Sequence, residues 1–93
     1  MPTGFPQAPS RRSAALWLAA AACYGVMLIA FFAFNAPVNA AVDGWTAATL
    51  PADWPTWRAT WETGHAIGFV FAAGALIFVY SAHKTDATVA MKD

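Results

Sequence analysis

The chain has 93 residues, 59% of them hydrophobic and 11% charged, with five basic and five acidic side chains that cancel at neutral pH. About a quarter charged residues is usual for soluble domains, so this composition excludes an ordinary water-soluble fold, and with no basic block beyond Arg11-Arg12 it excludes a nucleic-acid partner. The single cysteine, Cys23, excludes an internal disulfide and a Cys-x-x-Cys redox or zinc motif.

Residues 1–12, MPTGFPQAPSRR, hold three prolines without apolar periodicity and read as a flexible tail. Ala14 to Phe34 carries no charge and is long enough, at about 1.5 Å per residue, to cross a hydrocarbon core of roughly 30 Å. A first transmembrane helix is predicted over about 14–36. Arg11-Arg12 before it and Val38-Asn39-Ala40 after it also fit a cleaved secretory signal, although the apolar run exceeds the about 7–15 residues of a signal core. Asn35-Ala36-Pro37-Val38-Asn39 is expected to close the helix, with a bend fixed at Pro37.

A connector follows over 37–55. Trp45, Trp54, Trp57 and Trp61 fall within seventeen residues, and indoles favour the boundary between membrane and water, so Trp45 and Trp54 read as an interfacial belt. The second helix is predicted over about 56–82, with Asp53 as cap and Pro55 tolerated in the first turn. Its stretch from Thr63 to Ala82 is uncharged apart from His65 and Tyr80 as ionisable groups, and 85–93 reads as a polar tail. The fold class is therefore all-α: a two-span membrane domain over 13–84, a helical hairpin with a Trp-rich interfacial connector, which oligomerisation would complete into a four-helix bundle. Arg11 and Arg12 before the first helix, and His83, Lys84 and Lys92 after the second, put both termini in the cytoplasm of a cell inner membrane by the positive-inside rule. Arg58, between the two uncharged runs, counts against this orientation by one charge.

On the second helix Arg58, Trp61, Glu62 and His65 are spaced by three and four and share one face. An ionisable group just inside a span is costly unless paired or facing a cavity, which makes His65 a functional candidate; the plainer reading is a histidine at headgroup depth, satisfied by Glu62 or water. Arg58 and Glu62 fit an exposed ion pair. Asn35 and Asn39 fit helix-terminating residues or a pair of amides that bond a ligand. Gly64 and Gly68 form a GxxxG pair that admits a close helix, with Gly25 and Ala21 of the first helix as the counterpart within the chain. No metal or other cofactor is expected, because His65, Glu62 and the distant His83 fall short of a zinc ligand set.

The run Phe34-Asn35-Ala36-Pro37-Val38-Asn39, the Trp- and Pro-containing connector, and Trp57-Arg58-Ala59-Thr60-Trp61-Glu62-Thr63-Gly64-His65-Ala66 together resemble the anthrone oxygenase-like membrane family. The likeness runs from about Trp17 to Tyr80 and covers what look like the last two of a member's four helices. It implies an all-helical bundle and cofactor-independent oxidation of an anthrone by molecular oxygen. On the matching positions His65 would be the base, Arg58 and Asn39 the enolate donors, and Asn35 and Trp61 the pocket wall. Two copies, or a second membrane subunit, would have to supply the remaining helices.

Three functions are thus expected. The first is a non-catalytic accessory or assembly subunit packing in the bilayer through Gly25, Gly64 and Gly68. The second is the oxygenase just described. The third, a small dimeric transporter, lacks the usual charge at mid-membrane.

Overall fold

The computed structural model describes residues 10–92; the expected flexible tail at 1–9 lies outside them. All regular structure within them is helical: α1 (Arg11–Ala30), a π-helical turn (Phe31–Asn35), α2 (Ala36–Val42) and α3 (Trp54–Lys92). α1, the π turn and α2 run as one rod that packs against α3 to form a hairpin 69 Å long and 20 × 16 Å across. Both rods are long and apolar enough to cross a membrane, and only 17% and 11% of their most apolar windows are buried. That burial is far too low for core helices of a soluble protein. Leu18, Ile29, Phe32, Phe69, Leu76 and Ile77 are each more than 60% exposed, so lipid or other helices must cover them.

Local chemistry sets the ends of the helices. Ser10 caps α1: its Oγ accepts from Ser13 N–H at 3.1 Å and its carbonyl from Ala14 N–H at 2.8 Å. The helix therefore starts at Arg11, inside the region expected to be tail. α3 begins at Trp54 with Pro55 in its first turn, and the Asp53 carbonyl accepts from Thr56 and Trp57.

Pro37 does not close the first helix as expected. It sits in the first turn of α2, and the chain stays helical to Val42. A proline within a helix removes one N–H and pushes its ring against the carbonyl four residues back. The π turn directly before it widens the backbone, with Ala36 N–H bonding back to the Phe31 carbonyl. The same turn inserts one residue into the packing repeat. Ser13, Ala20, Cys23 and Ala30 are buried at steps of seven, three and seven, and the next buried positions are Asn35 and Val38.

The seam between the rods is made of small side chains. Ala20, Cys23 and Ala30 on α1 face α3, where Gly64, Ala75 and Ala82 are buried. In lipid no hydrophobic drive joins two helices, and close packing and interhelical hydrogen bonds take its place. Gly64 is a point of close approach: a Cβ there would fall on the Asn35 side chain and 2.6 Å from the Phe34 Cβ. Gly25 and Gly68 do not share this role, for a Cβ on either would meet nothing within 4 Å. Gly25 lies two residues past Cys23, about 200° around α1, and Gly68 is rotated about 40° from Gly64. Gly25 is thus no counterpart to the α3 glycines. Phe34 and Asn35 take that place.

α3 also continues to Lys92, so the expected polar tail is helical from Thr85. No glycine or proline interrupts it there. Asp86, four residues past the apolar stretch, accepts hydrogen bonds from the Ser13 hydroxyl and, at 3.2 Å, from the Trp17 indole. The Ser13 bond first, and the Trp17 bond second, hold the Asp86 carboxyl below the ordinary aspartate value of 3.8. A depressed folded-state pKa means that this tie is fully present above 3.8 and is lost as the pH falls through the lower folded value. The Trp17 indole N–H resonance is expected to stay constant down to about pH 5 and to shift toward its untied position only below about pH 4. Asp86→Asn should abolish that transition. A Trp17 titration unchanged by the substitution would remove the tie.

Candidate functional site

At the connector end of the hairpin, two asparagines one helical turn apart grip one tryptophan. Asn35, 2% exposed, donates through Nδ2 to the Trp61 backbone carbonyl at 3.0 Å, while Asn39 accepts from the Trp61 indole Nε1–H at 3.1 Å. The π turn makes this geometry, because its extra residue carries Asn35 round into the seam. His65 lies edge-to-face against Trp61, ring centroids 3.9 Å apart. Arg58 pairs with Glu62 at 2.9 Å, both side chains more than half exposed. Such a pair contributes only a few tenths of a kcal/mol.

Beside this grip opens a cleft of about 390 Å³. Val38 and Val42 line it from α2, and Trp54, Trp57 and Trp61 from α3. Trp45 of the connector stands against Trp57 with centroids 5.8 Å apart and planes at 80°. Asn39, Asp43 and Arg58 are the polar groups of the lining. A turn in which Thr46 and Thr49 exchange backbone-to-hydroxyl bonds at 2.8 and 3.2 Å fixes the connector just after Trp45.

The five residues singled out from the sequence therefore divide. Arg58, Asn39 and Trp61 share the cleft; Asn35 is buried in the seam and its amide bonds the opposite helix; His65 is exposed, outside the lining. Trp45 and Trp54, read as an interfacial belt, are cleft walls as well. A signal for this was present in the spacing, since Trp54, Trp57, Arg58 and Trp61 recur at three and four along one helix face. Among the described residues, no three His, Cys, Asp or Glu side chains converge as a metal site would need. Comparison with protein-family models, with curated proteins and with solved structures gave no match.

Proposed function

We propose that this chain is a small two-span membrane protein that acts as a non-catalytic accessory or assembly subunit, packing against further helices in the bilayer of a cell inner membrane with both termini cytoplasmic. The observation that carries this reading is the division of the glycines. Gly64 is consumed by the hairpin, whereas Gly68 and Gly25 lie against open space within apolar stretches. Small residues in a span allow another backbone to approach closely, and an outward Gly68 at the edge of the seam is where a third helix gains most contact. A second copy would give a four-helix bundle, and a different subunit would give a heteromer.

The anthrone oxygenase-like reading retains one supporting observation, the shared cleft of Arg58, Asn39 and Trp61. His65 lies beside Trp61 rather than in that lining, so a proton transfer to it would need a second chain to enclose the substrate. The two readings part on two substitutions. As a packing subunit, Gly68→Leu abolishes co-isolation with the partner in mild detergent, while His65→Ala leaves co-isolation and abundance within about twofold of wild type. The reverse pattern, with His65→Ala eliminating oxygen uptake on an anthrone and Gly68→Leu silent, would replace this proposal with the enzyme.

A further inference from the structure

The cleft at the connector end has the chemistry of a cation cage, and we propose that it binds a quaternary ammonium group. Four indoles, Trp45, Trp54, Trp57 and Trp61, line one space, with Trp45 and Trp57 nearly perpendicular. Aromatic faces carry negative quadrupole potential, and several at an angle around one volume solvate an alkylated ammonium that has no N–H to give to water. Asp43 adds a carboxylate to the same lining.

The charge balance favours a cation over a neutral guest. Arg58 is the one positive side chain of the lining, and its charge is balanced by Glu62 at 2.9 Å, which leaves Asp43 as the net charge. Nor does the protein fill the cage with a cation of its own. Among the described residues the cation set over an aromatic ring is Lys84, 5.7 Å above Tyr80, at the other end of α3. A volume of about 390 Å³ also suits a small guest, near the lower bound of ligand pockets at roughly 300 Å³. The guest is either the choline headgroup of a lipid, at the depth where indoles collect, or a free methylated amine.

The chain's five tryptophans supply the assay, because each gives one indole N–H resonance. Trp17, tied to Asp86 at the far end of the hairpin, is an internal reference. Full-length protein in a maltoside detergent is titrated with choline and, separately, with its neutral isostere 3,3-dimethylbutanol. Saturable shifts of Trp45, Trp54 and Trp57 with Trp17 unmoved are expected, with the isostere bound about tenfold more weakly. Asp43→Asn is expected to weaken choline severalfold and to leave the isostere unchanged.

Equal affinity for the two compounds, no saturable shift, or an equal shift of Trp17 would each overturn the proposal. Lipid discs then separate the sources. A headgroup ligand produces the shifted resonances in phosphatidylcholine discs without added choline, and a free amine produces them only on addition, in phosphatidylcholine and phosphatidylethanolamine discs alike.

Discussion

Gly64→Leu is expected to open the hairpin. Even the first carbon of the new side chain would lie 2.6 Å from the Phe34 Cβ, an atom fixed to the backbone that cannot swing aside, and would overlap the Asn35 amide. Overpacking typically costs about 1–3 kcal/mol, and losing the Asn35 bond to the Trp61 carbonyl adds about 1 kcal/mol more. Cys23 reports the result without engineering. It is the chain's one cysteine, it is buried in the seam, and its Sγ lies 3.6 Å from where a Cβ on Gly74 would be. Maleimide labelling of Cys23 in mild detergent should accelerate by about a hundredfold in Gly64→Leu, because opening exposes the thiol. Gly25→Ala and Gly68→Ala, with open space at both positions, should label within about twofold of wild type. Equal acceleration in all three variants would show that the seam is not where the structure has it.

Trp61→Ala is expected to be the most damaging truncation among the residues that line the cleft. A fully buried tryptophan costs about 3–5 kcal/mol on truncation, and with its side chain partly covered at 38% residue exposure a loss of about 2–3 kcal/mol follows. The alanine keeps the backbone carbonyl that Asn35 holds but loses the indole bond to Asn39 and a wall of the cleft. Asn39→Ala alone should cost about 1 kcal/mol. Because the two residues share one bond, the double variant should fall short of the sum by about 0.5–1 kcal/mol when opening is followed by Cys23 labelling. Strict additivity would mean that the indole–amide bond contributes nothing.

Much of the fold was legible from the sequence because it depends on quantities a sequence carries directly. The uncharged runs Ala14–Phe34 and Thr63–Ala82 specify two long apolar helices whatever their partners. Pro55 and Asp53 likewise mark the start of α3 by local rules. Pro37 misled because those rules assume an α-helix, and the π turn before it lets the ring fit. The glycine pairing was hidden because it depends on how far the two rods slide past each other. Cys23 lies beside Gly74, which puts Gly25 and Ala21 about 15 Å along the hairpin from Gly64, and Asn35 and Phe34 meet Gly64 instead.

The site was legible only in part for a related reason. Residue type and spacing pointed to Arg58, Asn39, Trp61 and His65, but membership of the cleft depends on which helix face the hairpin covers. On that ground Arg58, Asn39 and Trp61 fall inside and His65 outside. The Asp86 tie was hidden because the tail was judged by its polarity. Its bonds to Ser13 and Trp17 span more than two thirds of the chain, and no local pattern announces them.

Native mass spectrometry of the protein, released from its own membrane in a mild detergent without crosslinking, tests the central claim most directly. A packing subunit predicts a complex heavier than the 9.9 kDa chain, either at twice that mass or with a second polypeptide bound, and its collapse to the single-chain mass in Gly68→Leu. A wild-type protein that flies only at 9.9 kDa, under conditions that keep Cys23 protected, would contradict it.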